Sequence, residues 1–293
     1  MRKQFVKTVE SILEKDKKAV LLLGDIGVFG FKRAFELFPD RVLNIGILEQ
    51  SAVGLAAGLS INGLIPIIHT IAPFLVERSI EQLKDDFGYQ KLGGNFVSVG
   101  ASYDYAALGC THHCPGDVGM LKNIPGMEIV LPGTAEEFDK LFRKSYANGK
   151  PTYFRLSEKQ NSQSHNVKFG QAEIVKKGKL ATILAVGPML ELAIMAAEDL
   201  DVTILYYTAI IPFDKKTLKE NSESGKILLC EPYYAGALLP EILETLSPKP
   251  VSVESIGVPI QMMTNYGTAG EHDESIGFTY KNIRKKLLKL IKQ

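Results

Sequence analysis

Ile65-Pro66-Ile67-Ile68-His69 is a short apolar run rich in β-branched residues, and beyond Ile71-Ala72-Pro73-Phe74 the pattern turns helical through Leu75-Val76-Glu77-Arg78-Ser79-Ile80-Glu81-Gln82. A strand that feeds straight into a helix is half of a βαβ unit. The same alternation runs outward in both directions. Strands are expected over residues 19–23, 65–69, 96–99, 128–131 and 152–156, with helices over 51–60, 75–87, 118–122 and 135–146 between them. Right-handed crossovers then build a doubly wound parallel sheet, an α/β fold.

The polar stretch Ser157-Glu158-Lys159-Gln160-Asn161-Ser162-Gln163-Ser164-His165-Asn166 breaks the pattern and reads as a linker. Alternation then restarts over 181–185, 190–199, 202–206, 226–230, 236–245 and 251–255. The expected organisation is two doubly wound α/β domains, 1–165 and a smaller 166–293. Residues 280–291 place apolar side chains on one stripe and Lys and Arg on the other, the pattern of a docked terminal helix with a solvated basic face.

A chain of 293 residues is long enough for two such domains. Apolar residues make up 45% and charged residues 23%, so disordered and fibrous classes drop out. With 34 Lys plus Arg against 33 Asp plus Glu the net charge is +1, which argues against a nucleic-acid or membrane-surface partner. Three Cys fit a reducing, cytoplasmic setting better than a disulfide scaffold. The first residues space Phe5, Val6, Val9, Ile12 and Leu13 as an amphipathic helix rather than a signal peptide, and the longest apolar stretch, 181–197, is interrupted by Gly187-Pro188 and Glu191.

Three segments carry residue types suited to chemistry. In Asn44-Ile45-Gly46-Ile47-Leu48-Glu49-Gln50, the carboxyl of Glu49 stands between apolar residues and a small-residue helix, where desolvation would keep a proton on it for donation to a ring nitrogen. A Glu in a first helical turn is equally what the helix dipole favours without function. In Gly109-Cys110-Thr111-His112-His113-Cys114-Pro115-Gly116-Asp117, adjacent histidines can donate to a polar substrate or equally be surface histidines, whereas the spacing lacks the second distant pair of a zinc site. Phe74, at a strand-to-helix turn, is placed either to stack on a flat heterocycle or to fill the core.

Taken in order, Gly-Ile-x-Glu-Gln with Ala-x-Gly-Leu, Phe-x-x-x-Arg-x-x-Glu-Gln, Gly-x-Thr-His-His, Asn123-Ile124-Pro125-Gly126-Met127-Glu128-Ile129-Val130-Leu131-Pro132 and Pro151-Thr152-Tyr153-Phe154-Arg155-Leu156-Ser157 resemble the C-terminal half of transketolase. The resemblance extends through 202–236 and covers nearly the whole chain. It implies a pyrimidine-binding domain and a transketolase C-terminal domain, with thiamine diphosphate held between chains. Glu49 then matches the glutamate that hydrogen-bonds the aminopyrimidine, Phe74 the aromatic stacked on it, and Asp25 an aspartate near the cofactor, a position that also suits a turn cap. His112 matches the histidine that contacts donor ketose hydroxyls, with His113 beside it. Arg155 falls in a strand where it either contacts substrate or forms a salt bridge at a subunit edge.

The Gly-Asp-Gly motif with a distant Asn that holds diphosphate and Mg²⁺ in this family is missing; the chain has Gly24-Asp25-Ile26-Gly27. The resemblance therefore implies a separate N-terminal-type subunit carrying the diphosphate-binding domain, in an α₂β₂ assembly. A second departure bears on substrate. The family's histidine and aspartate ahead of the Thr-His pair fall here on Gly100 and Leu108, and its phosphate-binding arginine falls on Glu158. A carboxylate there repels a phosphate dianion. Tyr103, Tyr105 and Cys110 are candidates to line a pocket for a different acceptor sugar. Rival readings are the β subunit of a 2-oxo-acid dehydrogenase, a deoxyxylulose-phosphate-synthase-like enzyme, and a silent regulatory subunit that keeps only the fold.

Overall fold

The structure, a computed structural model, describes residues 1–293. Its strands are β1 (Ala19–Leu23), β2 (Val42–Asn44), β3 (Ile65–Ile71), β4 (Gly94–Val99), β5 (Glu128–Val130), β6 (Pro151–Arg155), β7 (Glu173–Lys176), β8 (Thr182–Val186), β9 (Thr203–Tyr207), β10 (Ala209–Ile211), β11 (Lys226–Tyr234) and β12 (Ser252–Val258). The helices are α1 (Arg2–Lys15), α2 (Lys32–Leu37), α3 (Glu49–Ile61), α4 (Ala72–Leu75), α5 (Ile80–Gln82), α6 (Asp117–Leu121), α7 (Ala135–Ser145), α8 (Leu190–Ala196), α9 (Lys215–Glu220), α10 (Leu239–Leu246), α11 (Ala269–Ile276) and α12 (Tyr280–Lys292).

Seven strands form the first sheet in the order β10-β5-β6-β4-β3-β1-β2, and five form the second in the order β12-β11-β8-β9-β7. Every residue of β1, β4, β6, β8 and β9 is buried, because helices cover both faces of a parallel sheet and leave no polar side. α1 and α7 cover one face of the first sheet through Val9 and through Phe5, Phe138 and Phe142, the three rings meeting edge-on or tilted. α3 lies on the other face, where Ala52, Val53, Ala56 and Ala57 are buried and let the backbone come close to β3.

Three expectations change on the structure. The first sheet is not purely parallel, and the sequence reading missed its edge: β10, from the second half of the chain, pairs antiparallel with β5 through Ala209 opposite Val130. The single helix expected over 75–87 is broken into α4, a turn, α5 and a π-helical turn over Leu83–Tyr89. At the break the buried Ser79 donates to the Phe74 carbonyl at 3.3 Å and Arg78 N–H donates to the Pro73 carbonyl at 3.1 Å, so local bonds replace the helical ladder.

The expected linker is a strap pinned to both halves of the chain. Asn161 N–H donates to the Gly133 carbonyl, Asn161 Nδ2 to the Gly187 carbonyl, Ser162 N–H to Glu191, and His165 N–H to the buried Glu137. The docked terminal helix is as expected: Ile283, Leu287 and Leu290 of α12 are buried, and Arg284 reaches out to Asp199 at 2.6 Å. No helix is long and apolar enough to cross a membrane.

Candidate active site

The candidate residues gather at the carboxyl ends of β1, β3 and β4, where a parallel sheet opens its binding crevice. Glu49 is the first residue of α3 and only 1% exposed. Its Oε2 takes a hydrogen bond from Arg78 Nη1 at 2.6 Å, and its Oε1 a long one from Thr70 Oγ1 at 3.4 Å. The sequence reading foresaw desolvation alone at Glu49; the structure adds a guanidinium, delivered by the break after α4. A Cβ on Gly24 would come within 3.0 Å of Thr70 and 3.7 Å of Glu49 Oε1, so the missing side chain leaves room beside the carboxylate.

Phe74 is half-buried. The Arg78 guanidinium carbon lies 4.3 Å from its ring centroid, a cation–π contact, and the His112 ring meets it edge-on at 5.3 Å. Glu49, Arg78, Phe74 and His112 thus form one unbroken chain of contacts across 63 positions of sequence, from 49 to 112. His112 is half-buried, and its Nδ1 sits 3.0 Å from Thr111 Oγ1. His113 is buried behind it, where burial first and His272 second lower its pKa from the ordinary value.

Asp25 has a left-handed backbone, φ 64°, and an exposed side chain. It exchanges hydrogen bonds with Asn44, whose Oδ1 accepts from Asp25 N–H and from Gly46 N–H at 3.0 Å each. Asp25 therefore ties the end of β1 to the loop that delivers Glu49.

Arg155 is corrected by the structure. Its side chain is 1% exposed, and its Nε and Nη2 bond Asp117 Oδ2 at 2.7 Å and Ser102 Oγ at 2.8 Å. The structure shows neither a substrate contact nor a salt bridge at a subunit edge: the pair with Asp117 is internal and fully buried. The two thiols of the His-His loop separate as well: Cys110 is exposed and Cys114 buried.

Sequence reasoning missed Thr70 and gave Arg78 no role. Arg78 was visible as the fixed Arg four residues after Phe74, but its pairing with a carboxylate 29 positions earlier leaves no local signal.

Residues 1–163 match the family model described as transketolase, pyrimidine binding domain, and residues 170–283 match transketolase, C-terminal domain. The chain belongs to the transketolase family. It is 37% identical over 283 residues, 95% of this chain and 91% of the relative, to an uncharacterized 33.6 kDa protein in the fasciation locus of Rhodococcoides fascians. It is 30% identical over 305 residues to one of the subunits of the apulose-4-phosphate transketolase of Phocaeicola vulgatus, covering 100% of this chain and 97% of that one. Among solved structures, a split gene transketolase described as an inactive beta4 tetramer superposes with a TM-score of 0.86 at 26% identity, covering 99% of this chain and 97% of that chain. As a transketolase-family chain it has two α/β domains of the expected type, each with a mostly parallel sheet.

Proposed function

We propose that this chain is the C-terminal-type subunit of a split, thiamine-diphosphate-dependent transketolase, a transferase that moves a two-carbon ketol unit from a ketose to an aldehyde. The observation that carries the reading is the contact chain Glu49-Arg78-Phe74-His112 on a transketolase-family fold. The residues present fit the aminopyrimidine half of the cofactor: a buried carboxylate, an aromatic ring at the mouth, and the space kept open by Gly24. They do not fit its diphosphate. The sequence has no Gly-Asp-Gly, and the Asp of its second Gly-Asp pair, Asp117, is spent on Arg155. Diphosphate and Mg²⁺ are accordingly assigned to a partner chain, in an α₂β₂ assembly that works in cytoplasmic carbohydrate metabolism. The units 1–165 and 166–293 stand as the proposed domains, with β10 crossing back to the first.

Bound thiamine diphosphate supplies the nucleophilic carbon that takes up the two-carbon unit. The rest is the work of this chain's residues. Arg78 occupies Glu49 Oε2, which leaves Oε1 with spare lone pairs to meet a ring nitrogen and to hold or release a proton there. Phe74 presents an apolar surface that orients a flat ring and sheds water. Asp25 keeps the Glu49 loop in register through Asn44. His112 has one ring nitrogen beside Thr111 and the other for a donor hydroxyl, and His113 backs it.

The acceptor is proposed not to be an ordinary pentose 5-phosphate. At the ends of β4 and β6 a cavity of about 320 Å³ is lined by Arg2, Lys3, Gly100, Tyr105, Glu158 and others. Glu158 is exposed there, and its backbone N–H binds Asp104, whose carboxyl burial pushes up to about 6. The pocket carries both signs of charge, unlike a plain phosphate cradle. Ordinary affinity for ribose 5-phosphate would refute this point.

Calorimetric titration of thiamine diphosphate with Mg²⁺ tests the main reading. Binding is expected only when the chain is co-expressed with its diphosphate-domain partner. Tight binding to this chain alone would overturn the split assignment.

A further inference from the structure

The segment from Gly100 to Gly116 carries His112 and has little regular structure: two 3₁₀ turns, Ala106–Leu108 and Cys110–His112. Its neck is closed where Cys114 N–H donates to the Ser102 carbonyl at 2.7 Å. Apart from that neck, the backbone bonds within the loop close only short single turns, so its geometry needs support from outside.

That support comes from the second half of the chain. α11 opens with a capping box, Thr268 with Glu271, which sets the helix start and the turn that follows. From that turn the His272 ring, 3% exposed, meets Tyr103 edge-on at 5.4 Å and His113 edge-on at 5.5 Å. The neighbouring Asp273 accepts from the Tyr103 hydroxyl and pairs with Lys159 at 2.9 Å. Tyr266 lies over Gly109, where an added Cβ would come within 2.7 Å of its ring.

We propose that His272 is a positioning residue for the transferase site: packed edge-on against His113 and Tyr103, it fixes the loop backbone from which His112 meets Phe74. The inference rests on the reading of His112 as the group that handles the donor. His272 touches neither cofactor nor substrate in this role and acts through His113. The groups that face His113 are His112 in its own loop and His272 on α11, with the Asp273–Lys159 pair beyond His272. The two neighbouring imidazoles disfavour a charge on His113.

The test compares His272→Ala, His272→Phe and Tyr103→Phe. In this chain alone, histidine ring carbon–proton spectra are expected to give broadened or doubled His112 and His113 signals for His272→Ala and single signals for His272→Phe. The His113 titration midpoint should move upward in His272→Phe, since a neighbouring imidazole is gone. In the reconstituted pair with hydroxypyruvate as donor, His272→Ala should raise KM by roughly tenfold, more than it lowers kcat, with Phe restoring most of the loss. Thiamine diphosphate affinity should stay within about twofold across the set.

Unchanged His112 and His113 signals in His272→Ala would overturn the proposal, as would a loss of cofactor affinity equal to the loss in KM. If His272→Ala does not fold, Tyr103→Phe replaces it: removal of the Asp273 bond should broaden the same signals, and unchanged spectra there together with an unmoved His113 midpoint in His272→Phe would overturn it too. Coupled ring signals in an enzyme inert toward hydroxypyruvate would instead sink the transferase reading and leave the loop support standing.

Discussion

Arg78 and Glu49 stand 29 positions apart in sequence and 2.6 Å apart in space, and the guanidinium that holds the carboxylate also covers Phe74. One side chain therefore orients both groups assigned to the aminopyrimidine. Glu49 is 2% exposed in its side chain against 35% for Arg78, so the carboxylate bears most of the desolvation while the arginine keeps contact with water.

Removing the guanidinium strands a buried carboxylate. Arg78→Ala is expected to lower unfolding stability by about 1–3 kcal/mol in urea titration, the cost of an unpaired buried acceptor. It should also weaken thiamine diphosphate binding in the reconstituted pair. Unaltered stability and binding would show that water replaces the guanidinium without loss.

Glu49→Ala should leave the fold intact and remove turnover. The carboxylate is the one acidic group in the contact chain, and its deletion removes a partly unfavourable buried charge along with the function. A large fall in melting temperature with unchanged specific activity would refute the assignment. Glu49→Gln, which keeps the shape, should be inactive as well; indifference to it would favour a silent subunit.

His112→Ala should impair donor processing more than cofactor binding, read as a larger change in donor kcat/KM than in thiamine diphosphate Kd. Comparable losses in both would contradict a role confined to the sugar side of Phe74.

Gly24→Val should abolish cofactor binding without unfolding the chain. A side chain at that position presses on Thr70 at 3.0 Å and faces the Oε1 left free by Arg78. Calorimetry that detects normal binding to Gly24→Val would place the pyrimidine elsewhere.

Acid should expose a separate weakness at His69. Its ring is fully buried on β3 with Nδ1 2.8 Å from the Val97 carbonyl, and burial pushes its pKa down to about 4 from the ordinary 6.5. The unfolded chain takes up this proton first, so the neutral-His contribution is present above pH 6.5 and is lost as pH falls toward 4, by about 3 kcal/mol at the end of that window. Glu231, raised by burial to about 7, acts in the opposite sense, since its folded state binds the proton more tightly. The check is therefore a difference: His69→Leu should show a shallower acid loss of stability than the native chain between pH 6.5 and 4. Parallel curves would exclude His69 as the source.

Much of the fold is legible in the sequence because β1, β8 and β9 are buried on both faces and read as nearly unbroken apolar runs, and β4 and β6 keep an apolar centre at Phe96-Val97 and Tyr153-Phe154. β2, β7 and β10 escaped because they are edge strands of three or four residues, too short to show a period and without the two-sided burial that makes the equally short interior β5 apolar. The break after α4 escaped because it depends on Ser79 capturing a carbonyl, a tertiary choice against a helical pattern that remains intact in the letters. At the site, Glu49, Phe74 and His112 were legible through ordered motifs, and their contacts place them together. Arg155 was legible as a residue but not as a role: only the fold shows Asp117 waiting 2.7 Å away. His272 carried no signal, since its partners lie 159 and 169 positions upstream, at His113 and Tyr103.

The edge strand β10 bears on how such a chain can be cut. It is encoded beyond residue 200 yet completes the first sheet by covering the edge of β5. A fragment ending near residue 165 would leave β5 with bare amide and carbonyl groups, an invitation to intermolecular pairing. Domain shuffling and fragment expression therefore find no natural seam between the two halves. The halves share a sheet, and a recombination event that parts them uncovers β5 and leaves β10 unpaired, while the second sheet keeps all five of its strands.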